Sequence, residues 1–227
     1  MKKRPLAVIH FIFVSVIVLI ITNGCKKKED PITVTDIDGN IYKTVTIGSQ
    51  IWLKENLRTT KYSNGDPIPE ITSGTEWISL TSGAYCNYDN DPSFADTYGL
   101  LYNWHTVKDP KNICPDGWHV PSDSEWTTLI DFLGGEDVAG GKLKEKGTAH
   151  WISPNTGATD SYSFTALPSG YRFGGIFNQP GYYAIWWTNT QKDLNDAWII
   201  TLINSKTQSY LENAYKTDGL SVRCLKD

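Results

Sequence analysis

The sequence predicts an α+β fold with few helices, short antiparallel strands and long loops. Three observations predict it. A single short amphipathic helix is sharply marked between residues 122 and 135. Several runs of β-branched and aromatic residues alternate with polar ones, the period of half-buried strands. The stretches between them are punctuated by Gly, Pro, Asn and Asp, which break regular structure.

The N-terminus stands apart from that fold. Lys2, Lys3 and Arg4 precede an apolar run at residues 6–21, interrupted only by His10 and Ser15, and Thr22-Asn23-Gly24-Cys25 follow. A basic start, an apolar stretch and a small residue before a cleavage point describe a secretory signal. With Cys25 directly after Gly24, residues 1–24 resemble a bacterial lipoprotein signal whose lipobox ends at Cys25, although Asn23 departs from the usual pattern. The resemblance implies a lipid on Cys25, membrane attachment through it, and a place at the outer membrane or cell surface. Lys26 fits onward sorting, and Lys28-Glu29-Asp30 is similar to the surface-export tethers of some Bacteroidetes lipoproteins. The competing reading is an uncleaved anchor. The run is at the short edge of the roughly 17–25 residues that span a bilayer, and both of its flanks are positive. Lipidation is preferred because it gives the boundary cysteine a purpose.

Residues 25–33 read as a polar linker and residues 34–227 as one domain, long enough to bury a core without help from disulfides. The formal net charge is −4, and Lys and Arg are scattered. With no basic patch and no aromatic–basic interleaving, no nucleic-acid partner is expected.

Within the domain, residues 34–47 alternate around Asp38-Gly39, a hairpin signal, and Gly48-Ser49 marks a second turn. Residues 53–57 are either a helical turn or a continuing strand, and residues 59–82 read as loop with brief strands. Residues 98–104 are only partly strand-like and also fit a buried helical turn. The helix comes next. Pro121 biases Val120 towards extended geometry, Ser122 is a good N-cap, and Glu125 completes a capping box. Trp126, Leu129, Ile130 and Leu133 form one apolar stripe, and Gly134-Gly135 can end the helix in a left-handed conformation. Residues 141–144 and 150–151 fall in mixed turns, and a Gly-rich loop runs from Arg172 through Gly181. Three clearer strands are expected at residues 184–188, 197–202 and 220–225.

Six of these stretches share a pattern: residues 34–42 (VTDIDGNIY), 52–57 (WLKENL), 98–104 (YGLLYNW), 114–121 (CPDGWHVP), 139–144 (AGGKLK) and 221–224 (SVRC). In this order they resemble the Fibrobacter succinogenes major paralogous domain family, over residues 34–227. That family is found on lipoproteins and secreted proteins of Bacteroidetes and Fibrobacteres, and implies no established activity. More distantly, residues 120–126 (VPSDSEW) with Arg223-Cys224 are similar to the formylglycine-generating enzyme superfamily, which implies a C-type-lectin-like fold. Its catalytic members bind copper through a pair of neighbouring cysteines. Cys224 has no such neighbour here, so that chemistry is not carried over, and a shared fold does not supply a function.

The resemblance also bears on Cys86, Cys114 and Cys224. C-type-lectin-like folds bring the start of the helix-bearing segment near the final strand, which implies a disulfide between Cys114 and Cys224. The alternative is three buried thiols. No Cys-x-x-Cys spacing exists, so no zinc site is expected. His105, His119 and His150 form no metal-ligand spacing, and no Gly-x-Ser-x-Gly elbow is present. Asp89 and Asp91, with Asp96, are oxygen ligands of the kind calcium takes, but Asp-Asn-Asp-Pro is also an ordinary turn.

All nine tryptophans lie in the domain. Large aromatics either fill the core of a loop-rich fold or grip sugars. Adjacent strand residues point to opposite faces, so one of Trp186 and Trp187 is expected in the core and the other exposed or covering a loop. A ligand site is sought among Tyr171, Arg172, Trp187 and Asn189, with the Arg172 guanidinium facing a pocket after a glycine turn. The expected function is a lipid-anchored, non-catalytic surface module that binds glycan or protein ligands or serves a structural role. The alternative is an enzyme of unknown mechanism on a formylglycine-generating-enzyme-like scaffold, most simply one using His119, Asp123 and Arg172. No cofactor is expected beyond the calcium option.

Overall fold

In the computed structural model, which describes Met1 and residues 33–227, the chain enters its first sheet through a hairpin of β1 (Thr33–Thr35) and β2 (Ile41–Ile47). Apart from Met1, the expected signal at residues 1–24, the lipidation site Cys25 and all of the linker but residue 33 lie outside the described residues. Asp36 closes the hairpin: its Oδ1 accepts from the backbone N–H groups of Asp38 (3.0 Å) and Asn40 (2.9 Å), while Gly39 takes a φ of +85°. A second turn through Gly48 pairs Ile47 with Gln50 at the start of β3 (Gln50–Leu53).

Short elements follow: α1 (Gly74–Trp77), β4 (Tyr85–Cys86), α2 (Ala95–Tyr98), β5 (Leu101–Tyr102), α3 (Trp104–Lys108) and β6 (Trp118–His119). The two longer helices are α4 (Asp123–Phe132) and α5 (Glu136–Leu143). The last part is strand-rich, with β7 (Tyr171–Phe173), β8 (Ile176–Asn178), β9 (Tyr183–Gln191), β10 (Asp196–Ile203), β11 (Ser209–Tyr215) and β12 (Leu225–Lys226). One sheet has the order β1-β2-β3-β12-β6 and a second β11-β10-β9, with two small hairpin-like pairs, β4-β5 and β7-β8. All pairings between these named strands are antiparallel, and helices are few, so the fold is α+β.

The α4 helix forms where its caps dictate. Ser122 Oγ accepts from the Glu125 N–H (3.2 Å) and Glu125 Oε2 accepts from the Ser122 N–H (2.8 Å). A cap of this kind contributes about 1 kcal/mol. Trp126, Leu129, Ile130 and Leu133 are all buried on its inner face. Gly134 (φ +101°) and Gly135 (φ +94°) then turn the chain.

Two apolar clusters make up most of the core, and several strands run between them. Trp186 packs in one cluster with Trp52, Trp126, Phe164 and Ile200, whereas Trp187 packs in the other with Tyr102, Leu53, Ile199 and Cys224. Adjacent residues of β9 do point to opposite faces, but both faces are covered. The expectation that one of Trp186 and Trp187 is exposed or covers a loop is therefore corrected: both are 0 % exposed and pack in the core.

Three further expectations change. Residues 141–144 are not mixed turns, because α5 runs through most of them. A Cβ at Gly140 would meet the Gln208 carbonyl oxygen at 2.1 Å, and one at Gly141 the Gly157 carbonyl oxygen at 2.5 Å. The helix tolerates two poor helix formers because neighbouring backbone approaches too closely for any side chain. The stretch after Arg172 is not a loop throughout but the β7–β8 hairpin, turning at Gly174 and Gly175. Residues 220–225 form only the start of β12, with single bridges at Leu220 and Ser221.

Candidate functional site

Each candidate side chain is best judged by what it already touches. Arg172 is 0 % exposed, and its guanidinium donates to the carbonyls of Ile71 (2.8 Å), Thr72 (2.7 Å) and Gly175 (3.2 Å). It also lies over the rings of Trp77 and Phe177. Arg172 therefore ties the β7–β8 hairpin to the α1 region and does not face a pocket, which corrects the sequence expectation. Trp187 is buried, with Nε1 donating to the Tyr102 carbonyl (2.8 Å), so it presents nothing to a ligand. Asn189 donates to the Val120 carbonyl (2.8 Å) and lines a different cleft from Tyr171. The four residues do not form one site.

The three aspartates proposed for calcium do not converge either. Asp91 Oδ1 accepts from the Ser93 N–H (2.9 Å) as the cap of a short helical turn. Among the described residues, no group of three or more His, Cys, Asp or Glu is placed to hold a metal ion. The turn reading accounts for that stretch.

His119, Asp123 and Arg172 share no cavity. His119 is clamped instead: Nδ1 lies 2.6 Å from Asp227 Oδ1 and Nε2 lies 3.0 Å from Glu125 Oε1. Burial works against the charged imidazole, but Asp227 and Glu125 together outweigh it and hold its pKa above the usual value. With both ring nitrogens engaged, His119 ties the C-terminal residue to the start of α4. Asp123 Oδ1 accepts from Thr190 Oγ1 (2.9 Å), a second tie between α4 and β9.

Several motif residues serve the scaffold in the same way. Cys114 and Cys224 form a disulfide, with Cα atoms 6.0 Å apart, and Cys86 is a buried free thiol pushed up to about 11 by burial. Asn56 Oδ1 accepts from Arg223 Nε (3.1 Å), Arg223 Nη2 (2.8 Å) and Trp186 Nε1 (2.8 Å). Lys144, also 0 % exposed, donates to the carbonyls of Thr156, Ile203, Asn204 and Lys206. Burial pulls its ammonium down to about 8, and this cage of four carbonyls acts in the opposite direction.

Among the described residues, one open cleft lies between β7 and the β9–β10–β11 sheet. Its volume is about 290 Å³, and it is lined by Tyr171, Phe173, Asp196, Asn213, Tyr215 and Asp218, with Ile185, Ile199 and Leu220 at its floor. That volume is at the small end of ligand pockets, roughly 300–1,000 Å³. Phe173 and Tyr215 stack with centroids 6.2 Å apart, yet remain 51 % and 56 % exposed. Asp218 is buried, and its Oδ2 accepts from the Tyr215 N–H (3.1 Å). Burial and the nearby Asp196 outweigh the N–H groups of Tyr215 and Gly174 and push its pKa up to about 7. Of the cleft's polar and aromatic residues, only Tyr171 was sought from sequence. Asp196 and Asp218 carry no signal of their own in the sequence, and β11 was hidden by an exposed, mixed pattern ending at Tyr215.

The pattern of these motifs can be compared with known proteins. The family model described as the Fibrobacter succinogenes major domain matches residues 45–226. No curated protein and no solved structure matches this chain.

Proposed function

The chain belongs to the Fibrobacter succinogenes major domain family, and from that premise we propose that it is a non-catalytic, lipid-anchored surface module binding glycan on a C-type-lectin-like scaffold. The observation that carries the reading is the cleft beneath Phe173 and Tyr215. Two exposed, mutually stacked aromatic faces beside carboxylate and amide groups suit a sugar ring, whose C–H faces pack on aromatics while its hydroxyls donate to oxygens. The C-type-lectin-like assignment is supported by the tie from the segment before α4 to the last strand, through Cys114 and Cys224. No observation favours the enzymatic alternative, since the groups it needs are committed to structural contacts.

A glycan array probed with the full-length protein, with and without calcium, tests the reading. Binding is expected, and Phe173→Ala or Tyr215→Ala should weaken it at least about tenfold, or 1.4 kcal/mol. A blank array in both conditions counts against it. For the anchor, mass spectrometry of the native N-terminus is expected to find a diacyl- or triacylglyceryl Cys25. An unmodified chain retaining Met1 would overturn that part.

A further inference from the structure

The same cleft holds more negative charge than a neutral sugar needs. Asp196 and Asp218 both line it. Asp196 Oδ2 accepts from the Asn213 amide (2.9 Å), but its Oδ1 is buried without a hydrogen-bond partner. The ion pairs among the described residues involve Asp38, Asp66, Glu125, Glu145 and Asp227, and neither cleft aspartate. Lys216 and Arg172 are close in the chain yet turned elsewhere, and Lys192 reaches the cleft only through the Asn213 side chain. Lys216 donates to the carbonyls of Asp193 (2.8 Å) and Leu194 (2.7 Å), Lys192 donates to Asn213 Oδ1, and Arg172 holds the Ile71 and Thr72 carbonyls. Carboxylates removed from water without a counter-charge are costly. Aromatic faces alongside them add attraction for a cation.

We propose that the cleft takes an amino sugar with a free amine, its ammonium held by Asp196 and Asp218 and its ring against Tyr171, Phe173 and Tyr215. This deepens the glycan reading and rests on it. Among the described residues no Lys, Arg or His forms an ion pair with either cleft aspartate, and the ligand's ammonium supplies that charge. The titratable groups facing Asp218 are Asp196 from β10, Tyr171 from β7 and Tyr215 from β11, while the Lys216 ammonium is engaged by the Asp193 and Leu194 carbonyls. Near neutrality Asp218 holds a proton part of the time, so an arriving ammonium should displace it. Binding is then linked to proton release.

Titration calorimetry of the full-length protein tests this with three probes: free-amine glucosamine oligomers, their N-acetylated counterparts, and neutral cello-oligosaccharides. The free-amine oligomers are expected to bind at least about tenfold more tightly than either of the others. Their affinity should fall at least about fivefold from pH 7.5 to 5.5, with proton release seen as a buffer-dependent heat. The sign is diagnostic, because acidification only increases the charge on the amine, so the loss must come from the protein's carboxylates. Asp218→Asn should bring the free-amine oligomers down to the affinity of their N-acetylated counterparts. Because Asp218 accepts backbone N–H groups, Asp196→Asn serves as the second variant should the first not fold. Equal or tighter binding of the N-acetylated or neutral oligomers overturns the amine assignment and leaves the glycan reading standing. No binding of any of the three probes overturns both.

Discussion

The double variant Cys114→Ala/Cys224→Ala is expected to unfold with about 2–5 kcal/mol less stability than the oxidised protein. The bridge joins residues 110 apart in sequence, nearly half of the chain. In the chain-entropy account, closing a loop of about 100 residues removes freedom from the unfolded state worth roughly 4.7 kcal/mol. Both cysteines are 0 % exposed and pack in the cluster that holds Trp187 and Val222, so the loss falls on the core as well as on the ensemble. Alanine is the right replacement, since serine would add an unpartnered hydroxyl to an apolar site. Urea denaturation of the wild-type protein with and without reductant provides the comparison. Reduced wild type should unfold close to the double variant, and oxidised wild type at clearly higher urea. Cys86 should not complicate the result, because its buried thiol is held far from the thiolate form that exchanges disulfides. Coincident midpoints for all three would show that the bridge adds nothing.

Where the fold was legible in sequence, a local rule and the tertiary structure agreed. Ser122, Glu125 and the stripe from Trp126 to Leu133 satisfy capping and periodicity at once, and the helix stands where they place it. Asp38-Gly39 and Gly48-Ser49 turn the first hairpins because the required backbone shape is chemically local. The α5 helix shows the opposite case. Its Gly140 and Gly141 signal a break until the backbones of residues 157 and 208 are seen pressing against them. No local rule carries that information. The same holds for Arg172, where a basic residue after a glycine suggests an exposed ligand contact. Instead the guanidinium is used up on three carbonyls that lie about a hundred residues earlier or within its own hairpin.

The candidate site was less legible than the fold, for a related reason. Tyr171, Asp196, Tyr215 and Asp218 come from three strands and a turn, and no spacing in sequence links them. Asp218 sits in Lys216-Thr217-Asp218-Gly219, which reads as a simple turn. Its buried position follows only from the packing of that turn under β7, where Arg172 and Gly219 exchange backbone hydrogen bonds of 2.8 Å. By contrast, the six family motifs mostly mark the frame. Asn56, Arg223, Lys144 and Cys114 hold distant segments together, and none of them lines the cleft.

Arg223→Ala is expected to cost about 3–5 kcal/mol, and Arg223→Met distinctly less. Arg223 is 1 % exposed, with its guanidinium over the rings of Phe164 (4.3 Å) and Trp186 (5.4 Å). It donates twice to Asn56 Oδ1 and once, from Nη1, to the Phe164 carbonyl (2.6 Å). Burial pulls its pKa down to about 9, still high enough to keep the charge at neutral pH. Alanine therefore opens a large gap between two aromatics and leaves the Phe164 carbonyl without this donor. Asn56 Oδ1 keeps only Trp186 Nε1 among these partners. Methionine fills most of the volume and removes a desolvated cation, which offsets part of the lost hydrogen bonding. Lysine keeps the charge but cannot reproduce the fork, so Arg223→Lys should resemble alanine more than methionine. Chemical denaturation of the three variants ranks them. If methionine proves as damaging as alanine, the hydrogen bonds to Asn56 and Phe164 dominate over volume and charge. If lysine restores full stability, the forked geometry is not what Arg223 contributes.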